Sequence, residues 1–332
     1  MPGANSGQTA QITEAAQQQT EIVQIPTEIL PTETPLPAPE KIVLAAMPDA
    51  NPGVIELLRT SLHELPSAVF TIEEVPELTP DQIEADVNLV VFPAVPANLA
   101  AFSQAHADKD FAVISLEQQQ FPNVWTIPYD AAFEPFLAGF FVGVTSNDWR
   151  GAGLLPDDGL MAGMQLAEFF SNGMKFFCGR CQSYGPPYVE FPVNVSLPGT
   201  SAPDAWLSGI DQIQSSFPNT YYISDSALSL PVLEKMNDLS AAVVTASQPP
   251  ESWNGNWLGA IKIDLGSALS DVISRMAEED GAVVIPKLDI QTGIQQSLFN
   301  AGKKAYIESL YKDLLIGLVS AYTPVPPASF EK

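Results

Sequence analysis

The sequence predicts an α/β protein with two tandem doubly wound, Rossmann-like lobes and a hinged cleft between them. Short, continuously apolar runs alternate with segments of helical spacing along the chain, a pattern typical of parallel sheets covered by helices on both faces. At 332 residues with 46% hydrophobic content, the chain is long enough to build two cores. The run 136–158 reads as a helix followed by a strand, and it marks the passage from the first lobe to the second.

The first lobe is predicted to span residues 41–145. Its apolar runs predict buried strands at residues 42–46, 68–73, 87–92, 111–116 and 123–127. Helical spacing between and after these runs predicts helices at residues 54–65, 80–85, 97–107 and 133–144. In the last helix Gly139 and Gly143 lie four residues apart among large apolar residues. Because glycine weakens a helix, the pair predicts close packing against a neighbouring element.

The second lobe is predicted to span residues 146–285 and to repeat this rhythm. Its strands are predicted at residues 152–155, 188–197, 220–224, 241–245, 260–263 and 283–288. Its helices are predicted at residues 160–177, 202–216, 228–237 and 267–278. The segment 286–332, with a helix near 307–318, is predicted to return to the first lobe, so that the chain crosses the hinge more than once.

Residues 1–40 differ in composition from the rest of the chain. They contain no Lys or Arg, are rich in Gln, Thr and Pro, and end in a Pro-rich run that cannot build a core. This composition predicts a disordered tether that holds a folded unit away from a surface, or an extension without function. With a removed targeting segment upstream the protein is extracytoplasmic; otherwise it is cytoplasmic.

The charge and the scarcity of reactive side chains exclude several functions. The net charge of −25, from 39 acids and 14 bases, argues against nucleic acid or anionic lipid as a partner. Only His63 and His106 are available for histidine chemistry, so no metal site, cofactor or catalytic triad is predicted. Cys178 and Cys181 have the spacing of a redox motif but follow a helix rather than a first strand, which predicts a structural disulfide.

Candidate ligand-binding residues follow from the rule that open α/β sheets bind ligands beyond the carboxyl ends of their strands. In the first lobe these positions hold Asp49, Asn51, Phe92, Glu117, Tyr129 and Asp130. In the second lobe they hold Asp157, Asp225, Ser247 and Gln248, with Trp253 and Trp257 in the following loop. Lys262 is a further candidate because bases are rare in this chain. Each acid could instead be a solvated loop carboxylate. The tryptophans could belong to the core, and Lys262 could be a surface residue or pair with Asp264.

Four short motifs occur in the order 136–143 with 151–155, then 170–176, then 261–264, then a last helix followed by Pro324-Val-Pro326. In this order and spacing they resemble the basic membrane protein family of substrate-binding lipoproteins of ABC importers. The resemblance runs from about Lys41 to Pro327. It implies a type I periplasmic-binding fold, a membrane-anchored lipoprotein outside the cytoplasm, an ABC permease as partner and no catalysis.

The resemblance also implies a nucleoside-like ligand for a monomeric binding protein, attached to the membrane only through a lipid anchor. Two departures bear on the ligand: the first turn, 47–53, keeps Asp49 and Asn51 but lacks the family's Phe, and the strand end at 245–250 is changed. The alternatives are a sugar-type sensor or an enzyme on the same fold, or a degenerate module for protein interaction. An enzyme would need a positioned base and nucleophile, and the sequence shows no such pair.

Overall fold

The computed structural model describes residues 40–66, 70–146, 148–158, 164–182, 188–294 and 297–323. The predicted tether therefore lies outside the described residues except for Glu40. The described part contains two sheets, and one hydrophobic core cluster includes buried residues from both of them. Each sheet has a second core cluster on its other face.

The first sheet has five parallel strands in the order β2-β1-β3-β4-β5. The strands are β1 (Glu40–Ala45), β2 (Phe70–Val75), β3 (Val87–Phe92), β4 (Asp110–Ile114) and β5 (Val124–Ile127). They are joined by α1 (Pro52–His63), a 3-10 turn at Pro80–Gln82 and α2 (Leu99–Ala105). Helix α1 begins at Pro52, directly after its N-cap residue Asn51. The Asn51 side chain accepts the Gly53 N–H, and Pro52 occupies a position at which the helix needs no N–H donor.

The second sheet has six strands in the order β11-β10-β9-β8-β6-β7, and only β11 is antiparallel to its neighbour. The strands are β6 (Gly151–Pro156), β7 (Val193–Leu197), β8 (Thr220–Ile223), β9 (Ala242–Thr245), β10 (Trp257–Asp264) and β11 (Lys287–Thr292). The helices that follow β5 are α3 (Phe133–Thr145), α4 (Leu166–Cys178), α5 (Pro203–Ile213), α6 (Leu230–Asp238), α7 (Leu265–Arg275) and α8 (Ala301–Leu315).

Helix α3 lies on the second sheet, although the sequence places it with the first lobe. It packs against α4, α8 and the strands of the second sheet, and nearly all of its residues are buried. The contact with α4 is close because Gly139 faces the backbone of Phe170 and Gly173 faces the backbone of Phe136. The first passage between the lobes is therefore the loop 128–132, before α3.

The C-terminal third of the chain moves between the lobes again. Helix α7 packs on α1 in the first lobe, and a short segment beside β5 forms a parallel bridge between Val283 and Thr126. The chain then returns to the second lobe, where β11 pairs with β10 and α8 packs on α3. The segment 286–332 is predicted to return to the first lobe, but β11 and α8 lie on the second lobe. The segment contacts the first crossover near its end, where the Tyr322 hydroxyl donates to Asp130.

The end of α4 carries the two cysteines. Cys178 and Cys181 are joined by a disulfide, with their Cα atoms 5.2 Å apart. Gly179 between them has a positive φ of 67°, a conformation that glycine adopts without a side-chain clash and that ends the helix.

Candidate ligand-binding site

A cleft of about 540 Å³ lies between the two sheets. Its walls come from residues that follow β1 and β5 in the first lobe and β6, β8 and β9 in the second, so it lies where parallel α/β sheets bind ligands. This volume is typical of a small-molecule pocket. The polar residues of its lining are Asn51, Glu56, Thr60, Tyr129, Glu134, Asp158, Tyr222, Ser224, Asp225, Ser226 and Lys262.

Glu134 is the half-buried carboxylate of this cleft, and it stands in the first turn of α3. One oxygen, Oε2, accepts the backbone N–H of Ile263 at 3.1 Å, which ties the start of α3 to β10. Burial raises the pKa of the Glu134 carboxyl to about 7, and the nearby charge of Asp225 adds to this shift. The hydrogen bond from Ile263 and the charge of Lys262 act in the opposite direction.

Three buried residues of the cleft carry a hydroxyl group that has no hydrogen-bond partner in the described part of the chain. Tyr129 follows β5 and Tyr222 lies on β8, and both rings are buried while lining the cleft. Ser224 is also buried, and its Oγ is unpaired. Burying a hydroxyl without a partner costs free energy, so these groups are available to a ligand.

Lys262 projects from β10 as an exposed side chain and lines the cleft. Among the described residues it forms no ion pair within 4 Å. The pairing with Asp264 that the sequence allows is not formed, because the Asp264 carboxylate caps α7 by accepting the Ser267 N–H at 2.9 Å. Its ammonium group is therefore free to meet a ligand.

The remaining predicted residues of this cleft already have partners. Asp225 follows β8 and accepts a hydrogen bond from the Ser247 hydroxyl at 2.6 Å, so Ser247 positions the carboxylate. The Asn51 side-chain oxygen accepts the Gly53 N–H at 2.8 Å. Asn51 therefore offers the cleft its amide NH₂ group.

A second, more open pocket of about 450 Å³ adjoins the cleft and shares Asn51 and Tyr129 with it. It contains two of the three acids predicted for the first lobe, Asp49 and Asp130. Asp49 is exposed. The Asp130 carboxylate accepts the Tyr322 hydroxyl at 2.9 Å and the Ala132 N–H at 2.9 Å, so it holds the first crossover in place.

The structure does not bring the predicted aromatic residues other than Tyr129 to the cleft. Phe92 is buried in the first-lobe core and packs on Phe102, with ring centroids 5.1 Å apart. The Trp253 indole N–H donates to the Leu233 carbonyl inside the second-lobe core. Trp257 is half-buried, and its indole N–H donates to the Thr245 hydroxyl at 3.0 Å.

Three predicted polar residues also lie outside the lining of both pockets. Glu117 and Gln248 are exposed in the loops after β4 and β9. Asp157 is half-buried, and its backbone N–H donates to the Leu197 carbonyl, while its neighbour Asp158 lines the cleft.

Sequence reasoning missed Glu134, Tyr222 and Ser224. A signal for Glu134 exists in hindsight, because it is the only charged residue in the apolar run 133–145. Tyr222 and Ser224 lie in the run predicted as a buried strand, where nothing in the sequence separates a core-facing from a cleft-facing position.

The comparisons with known proteins bear on the fold. The structure is similar to a solute-binding protein of an ABC transporter system from Conexibacter woesei, with a TM-score of 0.52 at 12% identity over 85% of this chain and 98% of that one. The fold is that of the type I periplasmic binding proteins. Others are an ABC transporter solute-binding protein from Aeropyrum pernix (TM-score 0.48, 10% identity, 85% and 93% covered) and a transcriptional activator of the comK gene from Bacillus halodurans (0.48, 12%, 83% and 96%).

No family model matches the chain, and no curated protein matches its sequence. In the described ranges, no group of three or more His, Cys, Asp or Glu side chains could hold a metal ion. None of the helices in the same ranges is both long and apolar enough to cross a membrane.

Proposed function

We propose that this chain is the solute-binding protein of an ABC importer and that it closes its two lobes on a small polar ligand. The observation that carries the proposal is the interlobe cleft, in which the unpaired hydroxyls of Tyr129, Tyr222 and Ser224 stand beside the unpaired ammonium of Lys262. A mostly apolar cavity with a few convergent polar groups is the usual form of a small-molecule site.

The ligand that we propose carries a ring and several hydroxyl groups, as a nucleoside does. Tyr129 comes from the first lobe and Tyr222 from the second, so a ring can lie against aromatic surface from both. Asp225 and the Asn51 amide provide an acceptor and a donor for ligand hydroxyls. The motif resemblance described above also supports a nucleoside-like ligand and a permease as partner.

We further propose that the protein works outside the cytoplasm on a lipid anchor, as a monomer. The acidic, Pro-rich composition of residues 1–40 suits a spacer between an anchor and a binding unit. Mass spectrometry of the protein from its native membranes tests this proposal. A diacylated cysteine at the mature N-terminus is expected, and a soluble, unmodified chain would contradict it.

The binding proposal is tested by a screen that does not presume the ligand. Nucleosides, sugars and amino acids are each added to the purified chain, and the melting temperature and the tyrosine and tryptophan fluorescence are recorded. Hits are then measured by calorimetry. If a sugar or amino acid binds while nucleosides do not, the proposed binding cleft stands and the proposed ligand class is wrong. If no compound of these classes binds, the solute-binding proposal fails.

Lys262→Met tests whether the hit occupies this cleft. A hydrogen bond to a charged group is worth about 1.5–3 kcal/mol, so the loss of the ammonium is expected to weaken binding about 10- to 100-fold. Lys287→Met on β11 is the matched control, because it also removes an exposed strand lysine but lies outside the described lining. Equal affinities for the two variants would show that Lys262 does not contact the ligand.

A further inference from the structure

The charged groups that line the cleft are unequal in number. The described lining contains four carboxylates, those of Glu56, Glu134, Asp158 and Asp225, and one ammonium, that of Lys262. Glu56 is exposed and pairs with Arg59 on the same helix, which also pairs with Glu74. The other three carboxylates have no cationic partner within 4 Å among the described residues. An anionic ligand would therefore meet three carboxylates without a cationic partner and a single ammonium.

Glu134 is the most deeply placed of these acids, and only one of its oxygens is used. Oε2 accepts the Ile263 N–H, while Oε1 has no partner in the described residues. The groups that face it are Asp225 beyond β8 and Lys262 on β10, together with the hydroxyls of Tyr129 and Tyr222. None of them neutralises it, since Lys262 is exposed and remains more than 4 Å away.

A second observation in the same cleft also points to a ligand-binding role. The Ser224 hydroxyl is buried and unpaired, and its neighbour in sequence is Asp225. A buried hydroxyl and a half-buried carboxylate that share one cavity are costly to leave without partners. An ammonium group suits both kinds of group, because it presents three donors and a positive charge.

We propose that the cleft selects a ligand that carries a protonated amine, with Glu134 as its counter-ion. The proposal rests on the proposed solute-binding function and defines its ligand class: a hydroxylated ring with an amino substituent, in preference to its neutral or acidic analogue. Glu134 determines specificity by charge, while Lys262 contacts another part of the ligand.

Pairing of Glu134 with a ligand ammonium is expected to release a proton. In the empty protein the Glu134 carboxyl has a pKa of about 7, so near neutral pH it is only partly ionised. A ligand ammonium keeps its own proton and favours the carboxylate, so Glu134 releases its proton to the buffer on binding. The affinity for the amine is therefore expected to rise from pH 6 to pH 8, as long as the amine remains protonated.

The experiment compares ligands that share one ring system and differ in the charge of a substituent. Glucosamine, glucose and glucuronate form one series; 5′-amino-5′-deoxyadenosine, adenosine and adenosine-5′-carboxylate form the other. We expect the amine of one series to bind at least about 10-fold more tightly than its neutral parent, and the acid to bind weakest. Calorimetry of the wild-type chain in two buffers of different ionisation enthalpy then measures the proton release, which needs no variant.

Glu134→Gln is expected to lose the preference for the amine, so that its affinities for the amine and for the neutral parent become similar. Glu234→Gln on α6 is the control, because it removes the same charge from an exposed helix position outside the described lining. A neutral or acidic member that binds as tightly as the amine would overturn this inference but leave the solute-binding function standing. If no member of either series and no compound of the wider screen binds, both proposals fall. An amine that binds without proton release would also overturn the role given to Glu134.

Discussion

Gly139→Ala is expected to destabilise the protein although alanine is the better helix former. Gly139 lies in α3, where α3 crosses α4. A Cβ atom at this position would lie 2.8 Å from the Phe170 carbonyl carbon and nearer still to the carbonyl oxygen. It would also lie 3.0 Å from the Met174 nitrogen. These obstacles are backbone atoms, so no side-chain rotation relieves the overlap and the two helices must separate.

The magnitude follows from two opposing effects. Alanine favours a helix interior over glycine by about 1 kcal/mol. Overpacking of a close-packed core costs about 1–3 kcal/mol and can cost more when backbone must move. Separation of α3 from α4 would also disturb the buried rings of Phe136, Phe140 and Phe170 that fill this interface. The net expectation is a loss of about 2 kcal/mol in the free energy of unfolding.

Gly143→Ala is the matched control for this experiment. It lies on the same helix, but its Cβ would meet its nearest neighbours, Met174 and Phe177, at 3.4 Å, which is ordinary van der Waals contact. This variant gains the helix propensity without the clash, so its stability should equal or exceed that of the parent. Urea unfolding followed by far-ultraviolet circular dichroism measures both. If Gly139→Ala proves as stable as Gly143→Ala, the inferred backbone contact is not formed in solution.

Three further predictions concern the disulfide, the hydrogen bond between Tyr322 and Asp130, and the ionisation of Glu134. Cys178 and Cys181 are expected to show no free thiol in the oxidised protein, and their reduction should cost about 1–2 kcal/mol because the loop they close is short; two titratable thiols in the native protein would refute the disulfide. Tyr322→Phe removes the hydroxyl that donates to Asp130 but keeps the ring on Phe169, so unfolding should require about 1.5–3 kcal/mol less free energy; unchanged stability would show that Asp130 is solvated instead. Glu134 has a folded pKa of about 7 against an ordinary 4.5, so its ionisation costs stability as pH rises through that window. Glu134→Gln should therefore be more stable than the parent by up to about 3 kcal/mol at pH 8 and by little at pH 4, and a gain independent of pH would contradict this.

The order of strands and helices could be predicted because buried parallel strands are continuous apolar runs. The run 87–92 is predicted with the bounds that β3 has, since every residue but Asn88 is buried. The predicted strand 283–288 instead divides between the sheets: Val283 bridges to Thr126 in the first lobe, and β11 begins at Lys287 in the second. Pro286 lies between them and has no N–H for a ladder, so the run is interrupted where the chain changes lobe.

The lobe to which α3 belongs could not be predicted from its sequence. An amphipathic helix shows by its apolar stripe which side faces a core, but α3 is apolar on all sides. The pair of glycines, Gly139 and Gly143, does predict close packing against a neighbour, and the structure places α4 there. Of these two glycines, only Gly139 meets the backbone of α4 closely enough to exclude a Cβ atom. The second glycine at the helix crossing is Gly173, which belongs to α4.

The predicted site residues differ in whether their side chains are free, and this depends on partners that are distant in sequence. The strand-end rule selects Asp130 correctly as a residue at the edge of the first sheet, but Tyr322, 192 residues later, occupies its carboxylate. Glu134 is tied to Ile263, 129 residues later, through one oxygen only, which leaves the other for a ligand. Asp130 lies in the loop 128–132, where the chain first passes between the lobes, and Glu134 follows it in the first turn of α3. Asp130 fixes this crossover to the C-terminal segment and Glu134 lines the cleft, so neighbouring residues connect the first passage between the lobes to the cleft wall.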